Sequence, residues 1–134
     1  MKCQECGGRQ FRRQLVTVQT KVGACLVADS NAPAYVCLKC GGFELDYEVL
    51  GQVELRAALI ALVEGAHFDG PMLRFARKAL GLKQRELAEK LGRRPETLCR
   101  DEKAKSLDLE LRHAMAGLVA AKLRPDGVTL QKVG

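Results

Sequence analysis

Four cysteines in two matching phrases carry the most specific chemistry of this chain. Cys3-Gln4-Glu5-Cys6-Gly7-Gly8 and Cys37-Leu38-Lys39-Cys40-Gly41-Gly42 each hold two thiols in C-x-x-C spacing, followed by a pair of glycines. Such a turn presents two sulfurs to one side, and glycines behind it let the chain fold back with backbone N–H groups aimed at them. Two turns supply Cys3, Cys6, Cys37 and Cys40, a full tetrahedral set for Zn²⁺ at Zn–S distances of about 2.3 Å. Thirty residues separate the pairs, which calls for a long hairpin between them. All four positions are filled by protein, so no place is left for a catalytic water. One structural zinc ion per chain is the expectation. A thioredoxin-like redox pair would need only one C-x-x-C, between a strand and a helix, and disulfides require an oxidising compartment. Met1-Lys2 precedes Cys3 with no apolar stretch of an export signal, which predicts a cytoplasmic protein with reduced thiols. Cys25 reads as a small core residue, and His67 and His113 lack ligand partners at suitable spacing.

The second constellation is basic. Residues 74–105 hold eleven Lys/Arg against five Asp/Glu, net +6, whereas residues 1–50 are only net +1. The formal charge of the whole chain is also +6, so one stretch accounts for it. Within it, Gln84 to Leu91 sets Leu87, Ala88 and Leu91 on one face of a short helix stopped by Gly92. A second helix restarts with Pro95 at its first position, where the missing N–H costs nothing. Two short helices about a three-residue turn make a helix-turn-helix. Leu98 must point inward, which turns Glu96, Thr97 and Arg100 outward. Lys83, Arg85, Arg93, Arg94, Lys103 and Lys105 form a natural phosphate-contacting set for double-stranded DNA; such contacts position a domain without choosing sequence. Glu86, Glu89, Asp101 and Glu102 interleave with these cations, so a solvated charged surface is the alternative reading.

The elements that must position these groups follow from periodicity. Residues 14–20 largely alternate polar and apolar, Cys25-Leu26-Val27 is a short apolar run, Asp29-Ser30-Asn31-Ala32-Pro33 has turn chemistry, and Ala34-Tyr35-Val36 leads back to the second cysteine pair. Phe43-Glu44-Leu45 adds another extended piece. From Gln52, Leu55, Ala58, Leu59, Leu62, Val63 and Ala66 recur at helical spacing and predict a helix ending near Gly65. Further helices are predicted at 71–80, 84–91, 95–103 and 107–123. The division is a four-cysteine ribbon over 1–50, a connecting helix and linker over 51–69, a helix-turn-helix domain over 70–125 and a tail over 126–134. The fold class is α+β: a small antiparallel sheet followed by an all-α domain. A 47% apolar, 28% charged composition excludes a disordered chain, and no apolar run is long enough for a membrane helix. Neither paired acid/base residues nor a nucleophile–histidine set appears, so an enzyme is not expected.

Gln84-x-x-Leu87-Ala88-x-x-Leu91-Gly92, continued by Thr97-Leu98-x-Arg100-x-Glu102, resembles the Xre/Cro-type helix-turn-helix. Coupled to an N-terminal four-cysteine ribbon, it is similar over residues 1–120 or so to the MqsA/YgiT-type zinc-finger antitoxins of bacterial toxin–antitoxin modules. Lys83 and Arg94 stand where that pattern has Thr/Ser caps, Cys99 where it has Ser, Asp101 where it prefers an apolar residue, and Ala104 where it has Gly. The resemblance implies a homodimer that binds a palindromic operator, represses its own operon and associates with the nucleoid. It also implies a toxin partner held by the ribbon. By position it implies a phosphate contact at Gln84 and a base-reading face of Glu96, Thr97 and Arg100. Two other readings stand beside it: a solitary regulator of the same build, or a zinc-ribbon interaction module without tight DNA binding.

Overall fold

β-Branched residues at Val16, Val18, Thr20 and Val22 favour an extended chain, and a computed structural model, which describes residues 1–123, has a strand there. Strand β1 (Phe11–Val22) turns at Gly23-Ala24 into the antiparallel β2 (Cys25–Cys37), and β3 (Phe43–Glu44) pairs with Tyr35 and Val36 on the other side. Gly23 has φ 61°, and a Cβ there would lie 2.6 Å from Met72 Cγ. The glycine therefore both makes the turn and lets the hairpin tip seat against a helix.

Asp29–Pro33 is not a turn, contrary to the sequence expectation; it lies inside β2. The register slips between Val16 and Val18, with Ser30 and Asn31 on β2 facing a single residue of β1. Asp29 Oδ1 accepts from the Asn31 N–H at 2.9 Å. Its local turn chemistry is thus used in a bulge, a place where an extra residue must be accommodated without leaving the sheet.

The five helices are α1 (Tyr47–Glu64), α2 (Gly70–Ala79), α3 (Gln84–Leu91), α4 (Pro95–Asp101) and α5 (Leu109–Lys122). Four fall close to the expected spans. α1 starts at Tyr47 rather than Gln52, because its first turn carries the exposed Tyr47 and Leu50 and shows no apolar stripe. Of the stripe read from sequence, Leu55, Ala58 and Leu62 are buried, while Val63 is 65% exposed. Asp69 and Asp108 cap α2 and α5, accepting from Met72 N at 3.0 Å and Leu111 N at 2.8 Å. The last carbonyls of α1 receive the Arg112 guanidinium, which donates to Leu62 O and Gly65 O and so ties α5 to α1.

One core unites the hairpin tip with the helices. Val22 and Val27 of the hairpin are buried with Leu55, Leu62, Met72, Leu73, Leu87, Leu98, Leu111, Met115 and Val119. Asp29, on the same sheet face, is 8% exposed and accepts from Arg56 of α1 at 2.7 Å. Among the described residues no helix is long and apolar enough to cross a membrane. The tail at 126–134 lies outside these residues.

Candidate functional site

The two cysteine phrases fold identically. Cys3 N donates to Gly8 O at 2.8 Å, Gly7 N to Cys3 O at 2.9 Å and Gly8 N to Cys6 Sγ at 3.4 Å. Thirty-four residues on, Cys37 N donates to Gly42 O at 2.8 Å, Gly41 N to Cys37 O at 2.9 Å and Gly42 N to Cys40 Sγ at 3.4 Å. Gly7 and Gly41 hold φ 76° and 79°, so the first glycine of each pair makes the left-handed step. The second glycine keeps the sulfurs uncrowded: a Cβ on Gly8 would lie 3.2 Å from Cys37 Sγ and 3.3 Å from Cys6 Sγ.

The hairpin brings the knuckles together. Cys3, Cys6, Cys37 and Cys40 place their four Sγ atoms within 4.8 Å of one another, with Cys3–Cys40 and Cys6–Cys37 both at 3.6 Å. Those spacings are too long for disulfides, and all six cysteines are free thiols. A tetrahedral ion with M–S bonds near 2.3 Å requires sulfurs about 3.8 Å apart, so the cluster fits a metal ion. The electrostatics point the same way. The Cys40 backbone N–H, outweighing desolvation, lowers the Cys37 thiol to about 7. Cys40 receives the Gly42 N–H, which favours its thiolate, yet the neighbouring Cys3, Cys6 and Cys37 push it up to about 12. Four thiols this close cannot all ionise alone, and a divalent cation removes the conflict. Cys3 and Cys37 are buried and Cys40 is exposed, leaving one side of the cluster open to solvent.

Since protons and the ion compete for the same sulfur lone pairs, metal loss is expected on acidification and not on the alkaline side. The sign follows from the ligands: bound thiolates have lowered pKa values, so their contribution persists at high pH and disappears as pH falls. A metal-sensitive dye, read while a loaded sample is titrated downward from neutral pH, measures this.

The basic stretch forms a helix pair. α3 ends at Gly92, with φ 66°, and Arg93 N donates back to Ala88 O at 2.8 Å. Neither Lys83 nor Arg94 caps its helix with a side chain, as their types require. The Glu86 carboxylate accepts from Lys83 N at 2.8 Å and satisfies one of the free N–H groups at the start of α3. Leu87, Ala88 and Leu98 are fully buried, so α4 is held by Leu98 and turns Glu96 and Arg100 to solvent, with Thr97 and Cys99 half-buried. Lys83, Arg85, Arg94, Lys103 and Lys105 are exposed. Two of the expected phosphate cations are engaged: Arg93 Nη1 donates to Asp101 Oδ2 at 3.0 Å, and Arg94 Nε lies 3.8 Å from Glu96 Oε2.

No family model and no curated protein matches the chain.

The sequence reading passed over the group that fixes the helix pair to α2. Glu102, just past α4, is buried, and its carboxylate accepts from Arg77 Nε at 2.6 Å, Arg77 Nη2 at 3.2 Å and Gln84 Nε2 at 3.0 Å. Arg77 Nη1 also donates to Leu82 O at 2.9 Å. One carboxylate therefore joins α2, the start of α3 and the end of α4. The side chain of Gln84, assigned by position to a phosphate, is occupied here by Glu102. A second tie runs along the loops: His67 Nε2 meets Lys105 O at 2.6 Å, Leu107 N donates to Phe68 O at 2.9 Å, and Gly70 N to Ala104 O at 2.8 Å. Glu102 and Gln84 both stand in the quoted sequence pattern, which was the available signal. Arg77 gave none, as it looked like any exposed helix cation.

Proposed function

We propose that the chain is a sequence-specific DNA-binding transcriptional repressor, the antitoxin of a type II toxin–antitoxin pair, built on one structural Zn²⁺ held by Cys3, Cys6, Cys37 and Cys40. The observation that carries the DNA-binding reading is the orientation of α4. Leu98 anchors it, and Glu96 and Arg100 project from its opposite side beside the exposed Arg85, Arg94, Lys103 and Lys105. In this reading α3 and α4 are a helix-turn-helix of Xre/Cro type, and α4 enters the major groove. Arg100 reads guanine O6/N7, Glu96 accepts from cytosine N4, and the lysines and arginines hold phosphates. A homodimer sets two such helices about 34–36 Å apart and blocks transcription by occupying the site. The toxin half of the reading rests on the resemblance of the ribbon and helix pair taken together.

The test uses duplex DNA from upstream of the chain's own gene. Arg100→Ala is expected to lose about 1–3 kcal/mol of preference for that sequence over unrelated DNA. Lys103→Ala is expected to weaken both duplexes alike and reduce the salt slope by about one unit. Fluorescence anisotropy across a salt series separates the two; if both variants bind every duplex as the parent does, α4 is not the reading helix. Co-purification with the product of an adjacent small gene tests the antitoxin role. The ion pairs of Arg93 and Arg94 and the engaged Gln84 favour a second reading, a protein-interaction module whose helix pair is a self-neutralised surface.

A further inference from the structure

β1 is the outer strand of the sheet, and no described residue pairs with its free edge. Edge strands are ordinarily kept short, bent by a bulge or interrupted by proline. β1 has twelve residues and no proline, and the extra residue of the hairpin falls on β2. At ~3.3 Å per residue it offers an edge ~40 Å long of unpaired N–H and C=O groups. Its side chains are Arg12, Arg13 and Lys21 with no carboxylate. Arg13 is engaged, stacked on Tyr35 at 4.3 Å and 3.9 Å from Asp46. Arg12 bonds only the neutral Gln14 side chain, at 2.7 Å, and Lys21 has no ion partner among the described residues. Two uncompensated cations therefore mark the two ends of the strand.

That placement discriminates between occupants. A second copy laid antiparallel along the whole strand sets Arg12 opposite Lys21 at both ends, and a parallel copy sets each cation beside its equal. Like charges directly opposite destabilise a strand pair. The edge is thus closed to its own kind and matched to a strand of opposite sign. We propose that the free edge of β1 takes up an extended acidic segment of a partner protein as an added strand, with carboxylates opposite Arg12 and Lys21. The proposal goes beyond the antitoxin reading in naming the chemistry of the segment, holds for a partner of any activity, and uses no residue assigned to DNA.

The experiment uses the full metal-loaded chain and a fluorescein-labelled, strand-length peptide of alternating valine and threonine with glutamate pairs at both ends. Saturable binding that weakens with salt is expected, with no binding of the same peptide ended by lysines. The doubly exposed variant Arg12→Glu/Lys21→Glu, its fold verified by metal content, should lose about tenfold in affinity, as two cross-strand pairs change sign. Backbone N-methylation of alternate peptide residues should abolish binding in one of the two frames, because only one frame faces β1. Equal binding of the lysine-ended peptide, indifference to N-methylation in both frames, or displacement of the peptide by an oligothymidine strand would overturn the proposal.

Discussion

Stripping the metal, or replacing Cys37 by serine, is expected to unfold the knuckle end of the hairpin while the five helices stay assembled. The knuckles are held by two short backbone bonds each and by the four sulfurs, and near them only Ala32, Ala34 and Val36 are buried side chains of the sheet. That is too little apolar surface to order a segment whose loop closes over thirty residues. Structural zinc contributes roughly 10–16 kcal/mol in small finger peptides, at or above the net stability of a typical domain. The helices draw on another source, the cluster around Leu73, Leu87, Leu98 and Met115. A chelator titration followed by circular dichroism and by amide NMR signals should show strand signals lost and helix signals kept. Simultaneous loss of both would show that the helices cannot stand without the ribbon.

Glu102→Ala is expected to be the most destabilising single change in the helical half, at about 3–5 kcal/mol, because it leaves Arg77 buried without a counter-charge. The Arg77 and Glu102 side chains are 11% and 4% exposed, and the carboxylate accepts three hydrogen bonds. Arg77→Met/Glu102→Leu should regain most of that stability, since an apolar pair of similar volume replaces a buried ion pair at little net cost. Denaturant midpoints at unchanged slope measure both. If the double variant recovers stability but not DNA affinity, the network's role is to set the angle of α4. If Glu102→Ala costs less than a surface pair would, the guanidinium has found water and the network is not closed.

How much of this was legible beforehand depended on what each residue had to satisfy locally. The cysteine cluster was readable because C-x-x-C-G-G imposes its own fold; the same three backbone bonds recur in both copies regardless of surroundings. α3, α4 and their glycine turn were readable for the same reason, with Gly92 and Pro95 marking the stop and restart. The Asp29–Pro33 segment misled because aspartate and asparagine make the same short-range bond in a turn and in a bulge, and only the pairing with β1 separates the two. The start of α1 was hidden because a first turn needs no buried face. The Arg77–Glu102–Gln84 network was hidden because it is tertiary: Arg77 and Glu102 are 25 residues apart and meet only when α2 crosses the end of α4.

The hairpin's two anchorages set an order of assembly. Its tip supplies Val22 and Val27 to the helical core, while its base waits on an ion. During synthesis Cys3 and Cys6 emerge first, yet the sheet they close is completed only after Cys40 has followed and metal has been captured. The tip meanwhile has nothing to bury against until Met72 and the later helices arrive. The oldest part of the nascent chain is therefore the last to settle, and a cell short of metal would hold a population with finished helices and an open N-terminal arm, recognisable to proteases by that arm alone.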